Sequence, residues 1–499
     1  MIFRHFFNRA LAILVSLTVS IWGQSQPASP VGRTIPGRFI VAYRNAQVPA
    51  DAGARALSAG GLLMVRHDRL GLAVVQSSVT EAATTRQRLA LDPAVEWVAE
   101  DRWVAADALQ VRAANAPSPT PDALYNGAQG WAVRQVGGFG DALHPGPWNV
   151  TTGKGIRIAI LDSGVDATHP DLAANIALNL SEVDQSPATG LPSACDDGGP
   201  QDQQGHGTWT ASLAAGAVGA ETGLVAGVAP AATLLNIKVL ERMPAAQPAA
   251  DDPTGCKRGQ AYGLLSWVIR GIEDAVTARA DVISMSLGTL VDITTGDGAG
   301  LKALFDHVTH AAFEAGAILV ASAGNDGVSL DNRRFVELPA QSRDVLAIVA
   351  STNPACAETL TAGATCAPGP VSLPYYSNSG AALNALASPG GSYPAGPDAD
   401  SAQTSGWIWG ACSSAGCFDL GHTTYVQAMG TSASAPLAAG AAALVRAANP
   451  TWDAATVVAA LRKSAVQAGT LPVPQINVAG LLTATTAAND HHITIRDRQ

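Results

Sequence analysis

Three short segments carry the residue types that nucleophilic acyl transfer needs. ILDSG holds Asp162, GHGT holds His206 and GTSASAP holds Ser432. A serine hydroxyl is a poor nucleophile until a base takes its proton. An imidazole, which titrates near neutrality, suits that task. A carboxylate ending an apolar strand is costly unless it is paired, and a hydrogen bond to an imidazole N–H both offsets the cost and fixes the tautomer. Each residue alone has a plainer role: Ser432 as a helix N-cap, His206 as a loop histidine, Asp162 as a strand-end turn former. Their joint occurrence carries the weight. They lie 44 and 226 residues apart, so only a large fold could gather them. Asp166 and Asp171 are alternative acids, read as solvated loop residues. Asn325, in ASAGND after an apolar run, could donate to an oxyanion together with the Ser432 backbone N–H, or could simply form an Asn–Asp–Gly turn.

These residues need elements to hold them. Arg157–Leu161, Leu234–Leu240, Val282–Ser286, Ile318–Ala321 and Val345–Ala350 read as short buried strands. Gly207–Gly216, Ala261–Ala280, Leu301–Ala315 and Ser432–Ala447 read as helices between or after them. Continuous apolar strands alternating with helices predict an α/β fold, a parallel central sheet with helices on both faces. Reactive groups then belong at the carboxyl ends of the strands, where Asp162 and Asn325 fall. Upstream, 36–108 reads as a separate small α+β module. Its strands are Arg38–Tyr43, Leu70–Val75 and Val95–Val98, and its helix is Val79–Leu91 with Thr80 as N-cap. An Ala- and Pro-rich linker over 109–120 precedes the main unit, 121–483, and 484–499 reads as a polar tail.

The 499 residues carry a net charge of −10 and 14 % charged residues, against 47 % hydrophobic. This balance disfavours a nucleic-acid surface and fits a compact globular protein. Residues 1–25 resemble an export signal. Arg4 and Arg9 precede a short apolar run, and Gly23 and Ser25 offer a small-residue cleavage point. No later stretch predicts a membrane span. Six cysteines in an exported chain favour disulfides, with 15 pairings open. Proximity favours Cys412–Cys417, Cys356–Cys366 and Cys195–Cys256. No zinc-type spacing occurs.

With these motifs in place, the chain resembles the subtilisin-like serine proteases, the subtilase family, from about Tyr125 to Leu482. GVAPAATL at Gly227–Leu234, VISMSLG at Val282–Gly288 and SNSG at Ser377–Gly380 share the resemblance. It implies a secreted serine endopeptidase acting on proteins or peptides, with Asp162, His206 and Ser432 as triad and Asn325 as oxyanion donor. It implies that Ser286, Leu287, Gly288 and Gly324 line the substrate groove, and that Glu337 lies near the first specificity pocket. A carboxylate there would favour Lys or Arg before the scissile bond; the plainer reading is a solvated Glu beside Arg333 and Arg334. The 36–108 module resembles the family's propeptide, an intramolecular inhibitor and folding aid removed by cleavage within 104–121. The chemistry requires no cofactor. Structural calcium is compatible with the resemblance but assigned to no residue, the acidic candidates being Asp196, Asp197, Asp202, Asp251 and Asp252. Trp209, Ala433 and Leu437 depart from the usual His, Met and His. These departures sustain an alternative, a catalytically silent subtilase-like scaffold that binds peptides. A lipase or esterase is disfavoured because Ser432 lies in GTSAS rather than in a GxSxG elbow.

Overall fold

The structure, a computed structural model, describes residues 32–106, 110–113, 120–184, 191–332, 334–352, 371–381, 383–392, 406–418 and 423–482. The proposed signal 1–25, the Cys356–Cys366 pair, most of the linker and the tail lie outside the described residues.

The main unit is built on seven parallel strands. In spatial order they are Ala385–Pro389, Val345–Ser351, Ile318–Ser322, Val282–Met285, Arg157–Asp162, Thr233–Lys238 and Ile176–Ser181. The central strands are buried throughout, which is why they read as apolar runs rather than as alternation. Successive side chains still serve opposite faces. Ala159 and Leu161 join the core beneath the helices Leu265–Thr277 and Gly296–Glu314. Ile158 and Ile160 join the core with the helices His206–Ala215, Thr431–Ala448 and Ala454–Ser464. The small side chains of the Thr431–Ala448 helix let it pack close to the sheet, and it is buried from Thr431 to Val445.

A smaller unit precedes this sheet. Its antiparallel strands run in the order Val95–Ala106, Thr34–Tyr43, Leu72–Gln76, Leu62–His67. Two helices, Ala52–Ala59 and Ala82–Leu91, close a core of their own with Phe39, Val41 and Val75. The first of these helices and the Leu62–His67 strand have no counterpart in the sequence reading. Ser78, rather than Thr80, caps the second helical segment, its hydroxyl accepting from Glu81 N–H. The other face, with Ile40, Leu72 and Ala99, joins the core of the main unit. There Asp101 accepts from both the backbone N–H (3.1 Å) and the hydroxyl (2.5 Å) of Ser266 in the first turn of the Leu265–Thr277 helix. Buried Arg38 completes the contact through Asp101 at 2.9 Å.

Two elements differ from expectation in ways that matter for the site. The helix expected from Ala261 begins at Leu265, and Gln260–Leu264 is a strand. The strand expected over Val95–Val98 continues to Ala106, and Gln110–Ala113, expected as linker, is a strand as well. Helical spacing cannot distinguish a short strand that runs directly into a helix.

Because Ile160 is buried on the central strand at the 431–448 helix, Ile160→Ala is expected to destabilise the fold by about 2–5 kcal/mol. The midpoint of chemical denaturation measures this.

Candidate active site

Asp162 is the last residue of its strand and 1 % exposed. Its carboxylate is well supplied with donors. Oδ1 accepts from Ser163 N–H at 2.7 Å and lies 2.7 Å from His206 Nδ1, while Oδ2 accepts from the Thr210 hydroxyl at 3.1 Å. His206 opens the helix His206–Ala215. Gly207 follows it because the backbone there passes against Gly164 O and Asp162 Cβ, leaving no room for a side chain.

Asp202, one of the acidic calcium candidates, does a different job here. It accepts from Gln204 N–H, Gly205 N–H, Thr208 N–H and the Thr208 hydroxyl, at 2.6–3.0 Å. It also accepts from Ser163 Oγ at 3.0 Å, and Ser163 Oγ accepts from Gly207 N–H at 2.9 Å. One carboxylate thus ties the turn before His206 to the residue after Asp162. Burial pushes the Asp202 carboxyl above its ordinary pKa, against these hydrogen bonds, which pull it down. An acid four residues before a helix-opening His was the available signal for this role.

Ser432 is the second residue of the helix Thr431–Ala448 and fully buried. Its hydroxyl lies 3.5 Å from Ser286 O, and the Ser286 hydroxyl donates to Ser432 O at 2.9 Å. Asn325 Oδ1 accepts from the backbone N–H and the hydroxyl of Thr431, both at 2.9 Å. This anchors the oxygen end of the amide and leaves its nitrogen end to be directed elsewhere. Asn378, in the SNSG motif, accepts from Asp326 and Val328 N–H and so holds the loop that carries Asn325. Thr210, Thr431 and Asn378 were not picked out from sequence. Their importance comes from contacts across the fold.

Leu287 and Gly288 stand on the strand Leu287–Asp292, which pairs antiparallel with Phe335–Leu338 and with the end of Val95–Ala106, Leu287 opposite Ala106 and Gly288 opposite Ala105. The strand Gln260–Leu264 pairs with the same segment from its other side, Tyr262 opposite Ala105 and Leu264 opposite Trp103. Further along the chain, Gln110–Ala113 pairs with Tyr425–Met429, which ends just before Gly430, Thr431 and Ser432. Between these two pairings lies a cavity of about 300 Å³ lined by Ala106, Val111, Gln204, His206, Gln260 and Phe418, among others.

Glu337 is 2 % exposed, not a solvated neighbour of Arg334. Its carboxylate lies against the Cα atoms of Gly288 and Gly324. A Cβ on Gly324 would come within 3.2 Å of the carboxylate, and one on Gly288 would collide with it. The burial of Glu337 depends on these two glycines, which come from separate strand ends.

Asp166 and Asp171, expected to be solvated, are both buried. Asp171 accepts from Leu224 N–H at 3.2 Å, and burial raises it to about 7. At Asp166 burial is outweighed by hydrogen bonds from Ser414 and Thr168, which hold it at about 2. The remaining acidic candidates also have protein partners. Asp196 pairs with buried Lys238 at 2.7 Å, Asp251 with Arg258 at 2.9 Å, Asp252 accepts from Arg258 N–H at 3.0 Å, and Asp197 accepts from Gly199 N–H at 2.7 Å. Among the described residues, no group of three or more His, Cys, Asp or Glu is arranged to hold a metal ion. Two of the three expected cysteine pairs are formed, Cys195–Cys256 and Cys412–Cys417.

Trp209 has a local explanation. Its ring meets His206 edge-on at 5.8 Å and its Nε1 donates to Ile408 O at 3.3 Å. Gly410, on the strand Ile408–Ala411, admits the indole, since a Cβ there would be 2.5 Å from Trp209 Cδ1. Ala433 and Leu437 are buried in the core on the Thr431–Ala448 helix.

This arrangement defines a subtilase architecture, and comparison with known proteins agrees. The description of the subtilase family matches residues 153–492, and the chain belongs to that family. It is 33% identical over 207 residues to an intracellular serine protease of Paenibacillus polymyxa, covering 41% of this chain and 52% of that one. It is 31% identical over 320 residues to subtilisin E of Bacillus subtilis, covering 64% and 62%. The matches thus span a little over half the length of these curated relatives. Among solved structures, the epidermin leader peptide processing serine protease of Staphylococcus aureus superposes with a TM-score of 0.64 at 16% identity, covering 90% of this chain and 98% of that one. The nisin leader peptidase of Lactococcus lactis gives 0.51 at 21% identity, covering 71% and 93%. At such identities the structural matches speak for the fold.

The low pKa of Asp166 sets an expected acid response. A carboxylate depressed in the folded state contributes stability above its ordinary pKa and loses that contribution as pH falls through its folded value. Stability is therefore expected to fall between about pH 4 and pH 2 partly through Asp166. Asp166→Asn should flatten that part of the profile, as read by urea midpoints across the range.

Proposed function

We propose that this chain is a secreted serine endopeptidase made as a zymogen. In this reading His206 removes the Ser432 proton as the hydroxyl attacks a peptide carbonyl, and Asp162 holds the imidazole's tautomer and stabilises its charged form. Asn325 and the Ser432 backbone N–H receive the tetrahedral oxyanion. The imidazole then protonates the leaving amine, and water releases the acyl group by the same steps in reverse. Substrates are peptides or proteins held in extended form, their backbone adding to the strand that carries Leu287 and Gly288. The chemistry needs no cofactor.

The observation that carries this reading is the path of the chain itself. Val95–Ala106 enters between Gln260–Leu264 and Leu287–Asp292, and Gln110–Ala113 resumes on Tyr425–Met429 beside the Ser432 helix. A segment bound as a strand on both sides of a nucleophile is bound as a substrate would be. The small unit is thus read as a propeptide that blocks the groove until it is cut. The bond to be cut lies between Ala106 and Gln110, narrower than the 104–121 range that sequence allowed. Two disulfides fit an oxidising destination. No helix among the described residues is long and apolar enough to cross a membrane.

Expressing the parent and Ser432→Ala side by side tests this. The parent is expected to acquire a new N-terminus between residues 107 and 110, while the variant keeps the upstream unit. Identical N-termini in both, with no labelling of Ser432 by a fluorophosphonate, would favour the silent scaffold.

Glu337 gives the reading a preference. A buried carboxylate between Gly288 and Gly324 favours Lys or Arg before the scissile bond. The chain's own 106–109 segment, Ala-Asp-Ala-Leu, carries no basic residue. Its cleavage would rest on intramolecular placement, which raises effective concentration without side-chain selection. On peptides differing only at that position, Arg is expected to exceed Phe in kcat/KM by at least tenfold, and Glu337→Gln to erase the difference. Equal cleavage by the parent would refute it.

A further inference from the structure

A small closed loop lies against the turn that launches His206, and the reaction scheme above gives it no part. Cys412 and Cys417 are buried and joined at a sequence separation of 5. The stabilisation gained by closing a loop grows with its length, so a ring this short contributes through chain entropy near the low end of what disulfides give. Its contacts indicate a different role. A Cβ on Gly205, the residue before His206, would come within 2.9 Å of Cys412 Sγ and 3.1 Å of Phe418. Phe418 N–H donates to Gln204 O at 2.5 Å, and the Ser413 hydroxyl donates to Asp202 O at 2.5 Å. The Gln204 side chain in turn accepts from His206 N–H at 3.0 Å. The Phe418 ring meets the imidazole edge-on at 6.4 Å.

The loop is itself held from outside. Arg242 spans it and the His206 turn, donating to Gln203 O at 2.7 Å and to Phe418 O at 2.5 Å. Ser414 is fixed to Asp166 through its N–H at 2.9 Å and its hydroxyl at 2.7 Å. Further along, Ala411 N–H donates to Ser212 Oγ at 3.0 Å, so the strand leading into the ring lies along the His206 helix. Besides the Cys412 N–H donated to Thr424 O at 2.7 Å, the ring's backbone contacts gather on Asp202, Gln203, Gln204 and Gly205.

We propose that the Cys412–Cys417 ring, with Ser413 and Phe418, is a positioning device for the His206 imidazole. It acts through Asp202, Gln204 and Gly205, and on the imidazole itself only through the edge of the Phe418 ring. The inference rests on His206 being the general base, as proposed above. Misplacing a catalytic group by about 1 Å costs on the order of 10²-fold in rate, so the ring should govern turnover rather than binding.

The test uses the matured enzyme from the full chain, a peptide substrate, and the rate at which a fluorophosphonate labels Ser432, measured well below each variant's melting temperature. For Cys412→Ala/Cys417→Ala the expected result is a kcat lowered about ten- to a hundredfold, an unchanged KM and a labelling rate lowered in parallel. Ser413→Ala and Phe418→Ala leave the ring closed and keep the test open if the double variant does not fold. Both should lower kcat about three- to tenfold, Ser413→Ala through its lost hydroxyl hydrogen bond and Phe418→Ala through the lost ring edge at the imidazole, and Phe418→Tyr, which keeps that edge, should restore it. Parent-like kcat and labelling in all of these, with only the melting temperature lowered, would overturn the proposal. So would a change confined to KM, which would assign the loop to the groove wall. A parent that neither cleaves peptides nor labels at Ser432 would instead overturn the protease reading itself.

Discussion

The site depends on one buried hydrogen bond, the 2.7 Å contact between Asp162 and His206. A carboxylate with 1 % exposure is tolerable only when its oxygens are met by donors. Ser163 N–H, the Thr210 hydroxyl and the imidazole meet that need together. Satisfying the carboxylate fixes where the imidazole must stand. The turn before His206 is then held by Asp202, whose carboxylate gathers donors from both sides of the pair. Two buried acids thus divide the work, one oriented to the ring and one to the backbone that presents it.

The second constraint is an edge. A parallel sheet covered on both faces leaves its functional groups at the strands' carboxyl ends, and there the Leu287–Asp292 and Gln260–Leu264 strands flank a channel wide enough for one more strand. Open strand edges attract other strands. In this molecule the last residues of Val95–Ala106 fill the channel, and the four-stranded sheet of the small unit becomes continuous with these strands of the main unit. Filling the channel and pairing the strands that flank it are the same physical event. The capping of the Leu265–Thr277 helix by Asp101 binds the two units at a second point, using a charge placed where helix N–H groups lack partners.

The departures around His206 form a consistent set. An indole at position 209 needs space and an acceptor, and the Ile408–Ala411 strand supplies both through Gly410 and Ile408 O. That strand leads directly into the Cys412–Cys417 ring, which packs on Gly205. The indole in the helix and the Ile408–Ala411 strand paired with Tyr425–Met429 over it are therefore two halves of one packing solution. The departure that left activity in question when read alone is seen in place as a contact made with the hairpin.

Much of this was legible in the sequence, for physical reasons. Asp162, His206, Ser432 and Asn325 each sit where an apolar run meets a glycine- or serine-bearing turn, and local composition registers that junction. The parallel sheet was legible because strands buried on both faces become unbroken apolar runs between helices. What the sequence could not decide was set by contacts between distant segments. Gln260–Leu264 is a strand because Val95–Ala106 and Leu240–Met243 lie beside it, although its spacing reads as helix. Asp166 and Asp171 are buried because Ser414 and Leu224 reach them, from 248 and 53 residues away. Glu337 is buried because Gly288 and Gly324 leave it room. The sequence by itself determined which side chains stand at the ends of strands and helices, since that depends on neighbours along the chain. Only the tertiary structure decided which are buried, what they meet and which segment pairs between the Gln260–Leu264 and Leu287–Asp292 strands, since those depend on neighbours in space.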